Sequence, residues 1–235
     1  QIIKNKSKGY ISYLRGENPI SFPIRLYPDH NPENIINKDN SPNINLFLNE
    51  IDPSERLSFL ELYSSHLNGI QREIYQSEFL KFKGLKNLQI QQENKLLQMS
   101  NIVFPTGNYG DEGLLECFNY KMKGSSPEYE YIDDNEFLDI NTIGDYSCKI
   151  KSILDIISKS NGIVFIYTNW IKSGILPLVL ALEQNGYLKY NDSEILNSKN
   201  KRDPVSYSPN PDDEFKPAKY MVIAGGQENL TNNLK

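Results

Sequence analysis

The feature that most constrains this chain is a stretch between Asp145 and Gly226 in which the hydrophobic period switches repeatedly. Ile150, Ile153, Leu154 and Ile157 recur at i, i+3, i+4 and i+7, which lays one apolar stripe along a helix. Gly162 stands where a left-handed residue closes such a helix. Residues 163–167, Ile-Val-Phe-Ile-Tyr, are then apolar without a break, as in a strand buried on both faces. A polar turn over residues 168–174 leads into a second helix, with Pro177 tolerated in its first turn, Ile175, Val179 and Leu182 turned inward, and Gly186 at its end. Residues 220–224, Tyr-Met-Val-Ile-Ala, form a further apolar strand that runs into Gly225 and Gly226. Helix, strand, helix, strand is a βαβ unit, so the expected class is α/β with residues 163–167 and 220–224 as parallel, adjacent or near-adjacent strands under a right-handed crossover. Residues 188–217 are then a surface insertion. The unit requires more strands than the sequence supplies, which predicts an incomplete sheet.

The upstream half is less regular. Residues 29–54 are rich in Asn, Asp and Pro and read as a long loop or insertion. A short strand is expected within 57–63, followed by a helix from an Asn68 cap to about Phe82, with Ile70, Ile74 and Phe79 on one side. Residues 95–105 start helical and break at Pro105. Residues 106–113 read as a turn and 119–142 as a second, acidic insertion.

Composition excludes some functions and leaves others open. A net charge of −5 and a pI near 5.2 are unlike a small basic nucleic-acid module, although a motor can hold a strand in a local groove with few charges. Cys117 and Cys148 form no CxxC and have no neighbouring histidine, since His30 and His66 lie elsewhere; free thiols in a reducing compartment fit better than zinc. The longest apolar run, residues 174–182, is too short to span a bilayer and contains Pro177. No signal peptide opens the chain, so a soluble, intracellular protein is expected. Abundant Asn, Ile, Lys and Tyr suggest an AT-rich source, and the first and last residues, Gln1 and Lys235, read as the ends of a fragment.

Four stretches resemble one family in order. Residues 65–75, Ser-His-Leu-Asn-Gly-Ile-Gln-Arg-Glu-Ile-Tyr, resemble the Gln-containing strand-to-helix element of SWI/SNF-type ATPases, and residues 96–105 resemble the helix after it. Residues 149–174 are similar to the helix and strand that open the second RecA-like lobe, and 219–226 to its next strand. More narrowly, Arg15-Gly-Glu-Asn-Pro with Phe22-Pro, Phe165-Ile-Tyr-Thr-Asn-Trp170 and residues 178–186 resemble superfamily-two helicases of nucleocytoplasmic large DNA viruses. Those helicases are related to viral early transcription factors and termination ATPases. The resemblance implies an ATP-dependent helicase or translocase whose parent uses ATP and Mg²⁺. It implies DNA or RNA as partner, together with a viral RNA polymerase or transcription complex, and a place in the virion or host cytoplasm. It makes residues 1–142 an interdomain linker and helical region with insertions, and 143–235 the first half of the C-terminal RecA-like lobe. The α/β class then takes the form of an incomplete RecA-like parallel sheet preceded by a mixed helical and strand linker region. No GK[ST] loop is present, Asp111-Glu112 follows a turn where a Walker B pair would end a strand, and no arginine finger can be assigned. The rival readings are a non-catalytic helicase-like scaffold of a viral transcription complex and an α/β nucleotide-binding enzyme outside the helicases. The lack of a Gly-rich loop after residue 167 weighs against the second.

Within that resemblance Thr168, Asn169, Trp170 and Lys172 follow the C-terminal end of a strand, where open α/β sheets bind ligands. Hydroxyl, amide and ammonium donors there would grip phosphates without reading bases; the alternative is a polar turn with Trp170 packed on the next helix. Gly225 and Gly226 allow close backbone approach to a phosphate, or simply a tight turn. Arg15 and Glu17 form a turn salt bridge or line the interdomain nucleotide cleft. Lys149 and Lys151 read as a solvated helix face, and Gln71 and Tyr75 as packing groups at a hinge. No catalytic or metal-binding residue is assigned.

Overall fold

The computed structural model describes residues 34–45, 49–58, 61–82, 85, 88–124, 126–160, 162–190, 193–208, 210–225 and 230–231. Arg15, Glu17 and Gly226 lie outside the described residues. The class is α/β. A two-residue antiparallel pair, β1 (Ile35–Ile36) with β2 (Leu62–Tyr63), precedes helices α1 (Gly69–Leu80), α2 (Ile90–Asn101) and α3 (Gly110–Cys117). A hairpin comes next, β3 (Phe118–Lys123) and β4 (Ser126–Tyr131), and then α4 (Cys148–Ile157). A widened turn, Ile171–Ile175, runs into α5 (Leu176–Gln184), after which come β5 (Leu188–Lys189), β6 (Leu196–Asn197) and β7 (Lys219–Tyr220). β6 joins β4 in parallel, and β5 pairs with β7 in parallel, so the sheets are small and mixed.

α5 is the centre of the molecule. Its sequence, Leu-Pro-Leu-Val-Leu-Ala-Leu-Glu-Gln, is apolar around most of its circumference, and every residue in it is buried. Leu176, Leu180 and Ala181 are fully covered, in one cluster with Ile102, Phe104, Leu114, Phe137, Leu138, Ile143, Ile150 and Leu154. Removing each such leucine from water stabilises the fold by about 1.5–3 kcal/mol, and Leu180→Ala would cost about 2–5 kcal/mol through lost burial and the cavity left behind. Ser147 starts α4 by accepting the Ile150 N–H, and its own hydroxyl donates to the Asn101 carbonyl at 2.5 Å, tying α4 to the end of α2.

The polar end of α5 organises the strands after it. Glu183 accepts from the backbone N–H groups of Ile195 and Leu196 and from the Tyr220 hydroxyl, so one carboxylate holds β6 and β7. The Gln184 side-chain amide donates to Glu136 and to the Asn200 carbonyl. Asn185 donates to the Leu138 and Ala181 carbonyls and accepts from the Ile140 N–H. Gly186, with φ of 85°, lets the chain turn into β5 while its carbonyl accepts from Val205.

The observed strands correct the expected ones. Residues 163–167 make no ladder among the described residues, and Phe165 and Tyr167 are 77% and 76% exposed. The parallel partner of β7 is β5, because the Gly186 turn and the Glu183–Tyr220 bond bring those segments together. Residues 188–217 are therefore not a surface insertion: Ile195 and Leu196 belong to the core. Residues 119–142 are not irregular either. β3 and β4 are held by the Tyr120–Tyr129 ring contact and by Lys121 and Lys123 on Glu128. The expected turn over 106–113 ends early, since α3 begins at Gly110. The Asn68 side chain donates to the His66 carbonyl and caps nothing. Gly162 is left-handed but lies beyond the α4 C-cap, Ser158.

Candidate nucleic-acid interface

Three segments meet beside the C-terminal end of α2. Ser100 and Asn101 close that helix, Lys149 stands in the first turn of α4, and residues 167–170 approach the widened turn before α5. Between them lies an open cleft of about 210 Å³ lined by Leu97, Asn101, Lys149, Tyr167, Thr168, Asn169 and Trp170. The Lys149 ammonium donates to Ser100 Oγ at 3.0 Å and to Asn101 Oδ1 at 2.9 Å. Lys149 is exposed, and partial desolvation where it meets the end of α2 lowers its pKa below the ordinary lysine range.

The opposite wall is built by the turn itself. Tyr167 donates its hydroxyl to Asn169 Oδ1 at 2.6 Å, and Thr168 Oγ1 accepts the Trp170 N–H at 3.3 Å. The Trp170 carbonyl accepts from Ile175, five residues on, which widens the helix start and turns residues 168–170 toward the cleft. Gly174 makes this fold-back feasible, because a Cβ there would collide with the Thr168 hydroxyl and press on Trp170. Ser173, fully buried, donates to Gln98 and pins the turn to α2.

Of the residues singled out in the sequence, Thr168, Asn169 and Trp170 line the cleft together. Lys172 does not; its ammonium pairs with Asp111 at 3.2 Å. Gly225 is exposed after β7, off the cleft lining, and a side chain there would meet open space. Gln71 is fully buried, donating to the Met99 carbonyl and accepting the Cys148 N–H, so it joins α1, α2 and α4. Lys149 is exposed, as expected of a solvated helix face, and it also lines the cleft. On α4 it sits beside the apolar stripe, and no local signal reveals that the end of α2 lies opposite. A wider cleft of about 730 Å³ shares Leu97 with the first and is lined by Ile44, Ile51, Tyr75, Leu88, Leu96 and neighbours. Its charged lining residue is Glu93, an anion that would repel phosphate.

Fold and cleft together describe an α/β chain with a polar, cation-bearing groove. No family model matches the sequence, and no solved structure matches it. Among curated proteins the chain is similar to one from Acanthamoeba polyphaga mimivirus named "Putative ATP-dependent RNA helicase L377". The two are 25% identical over 286 residues, covering 96% of this chain and 22% of the relative. The chain thus spans about a fifth of that relative's length.

Proposed function

We propose that this chain is part of an ATP-dependent helicase or translocase of viral type, with a role in transcription, and that the cleft between α2, α4 and residues 167–170 contacts the nucleic-acid strand. The observation that carries the reading is the similarity over 96% of the chain to a viral protein named as an RNA helicase. The cleft supports it. Thr168, Asn169 and Trp170 offer hydroxyl, amide and ring groups beside a lysine, which suits a phosphate backbone and no particular base. DNA or RNA is the partner, and a viral polymerase assembly is the setting the reading implies.

The Asp111-Glu112 pair does not fit an ATP·Mg²⁺ site. Asp111 and Glu112 sit on the exposed first turn of α3, with Asp111 already paired to Lys172, and no group of three or more metal-ligating side chains occurs among the described residues. No hydrolytic step is assigned to them. No helix among the described residues is long and apolar enough to cross a membrane. The test is fluorescence anisotropy of the purified chain with labelled oligouridylate and oligothymidylate across a KCl series. Binding to at least one strand that weakens as salt rises is the expected result. Absence of binding to both would overturn the reading.

A further inference from the structure

The charges around the cleft are unevenly compensated. Lys151, two residues along α4 from Lys149, pairs with Asp155 at 2.6 Å; Lys95 on α2 pairs with Glu78 at 2.6 Å; Lys172 pairs with Asp111. Lys149 has no carboxylate partner among the described residues. Its two acceptors, a serine hydroxyl and a side-chain amide oxygen, are neutral, so its charge stays uncompensated and one of its three N–H donors is left over.

These acceptors are held in place. The Asn101 carbonyl receives the Ser147 hydroxyl, Ser147 is fully buried and caps α4, and Ser100 donates to the Leu97 carbonyl at 2.8 Å. Holding the ammonium before a ligand arrives reduces the ordering cost of binding. Across the cleft stand an exposed aromatic ring, Tyr167, and the partly exposed Trp170, with the apolar surface of Leu97 beside them. The volume is below the roughly 300–1,000 Å³ of pockets that enclose a drug-sized ligand, so it suits one phosphate with its sugar and not an engulfed nucleotide.

On the reading above that this face meets nucleic acid, we propose that the cleft seats one unit of a single strand, with a backbone phosphate on Lys149 and the adjoining base stacked on Tyr167. The hydroxyl of Thr168 and the amide of Asn169 face the same phosphate and sugar. A phosphate would supply the anion that the Lys149 ammonium, held on two neutral acceptors, lacks.

The test compares Lys149→Met, Lys149→Arg, Lys151→Met and Tyr167→Ala in the same 235-residue chain, each checked for an unchanged circular dichroism spectrum. Lys149→Met should weaken oligouridylate or oligothymidylate binding about tenfold and lower the salt slope by roughly 0.7, the loss of one single-strand phosphate contact. Lys149→Arg should keep most of the affinity, and Lys151→Met should bind as the parent does. Tyr167→Ala should weaken base-bearing strands about tenfold yet leave inorganic polyphosphate binding unchanged, which separates stacking from anion capture. A parent that binds strands and a folded Lys149→Met with the same affinity and slope would overturn the Lys149 assignment while leaving the wider reading intact. A Tyr167→Ala chain that binds as the parent would overturn the stacking. A parent that binds neither oligonucleotide defeats the wider reading itself.

Discussion

Replacing Glu183 by Ala tests whether one buried carboxylate holds the second half of the fold. Glu183 is 1% exposed; its oxygens accept from Leu196 N at 2.6 Å, Ile195 N at 2.9 and 3.0 Å, and the Tyr220 hydroxyl at 2.5 Å. Truncation leaves two backbone N–H groups buried without an acceptor, at about 1–3 kcal/mol each. Relief from burying a charge offsets part of this, because burial raises the Glu183 pKa above its ordinary 4.5 despite the four donated bonds. The net expectation is a loss of about 3 kcal/mol, which for a chain of this length lowers Tm by roughly 6–12 °C. Glu183→Gln should be far milder: its oxygen can keep both backbone bonds while its amide donates to a rotated Tyr220 hydroxyl. The pH dependence comes from the raised pKa. The folded state holds this proton more tightly than the unfolded chain, so the stability it contributes is full below pH 4.5 and is lost as pH rises through the folded pKa. Urea melts monitored by circular dichroism should therefore show the parent gaining on Glu183→Gln as pH falls from 8 to about 5. A Glu183→Ala chain within about 1 kcal/mol of the parent, or a parent that gains on Glu183→Gln as pH rises, would refute the reasoning.

Lys172→Ala should change the salt slope less than Lys149→Met, because the Lys172 ammonium lies off the cleft and is already paired with Asp111 at 3.2 Å; anisotropy titrations showing the larger change for Lys172→Ala would contradict this. Burial pushes the Cys117 thiol up to about 11 and raises that of Cys148, so a thiol-reactive dye at pH 7.5 should label neither until urea unfolds the chain; prompt labelling of either in the native state would contradict their burial. The isolated chain should release no phosphate from ATP with or without nucleic acid, since it carries no GK[ST] loop; strand-stimulated turnover that survives removal of contaminating ATPases would contradict this.

Local signals specify the helices. The stripe of Ile150, Ile153, Leu154 and Ile157 sets α4, and Pro177 near the start and Gly186 at the end bracket α5, because period and caps act within a few residues. The hairpin was not legible because residues 118–131 alternate aromatic and charged side chains, and its cross-strand ion pairs join residues whose pairing no single window reports. Residues 163–167 show the opposite failure. A run of apolar residues records composition, whereas burial needs a partner, and Glu183 and the turn at Gly186 gave β7 to β5 instead. The candidate interface divides the same way. Thr168, Asn169 and Trp170 were legible as polar and aromatic donors in a turn after an apolar run. The place of Lys149 beside them was not, because its acceptors, Ser100 and Asn101, lie nearly fifty residues earlier and only the packing of α2 against α4 brings them within 3.0 Å of its ammonium. Sequence sets what each segment can donate or bury over a few residues; which uncompensated charge faces which groove is decided by contacts between distant segments, and those exist only once the core has closed.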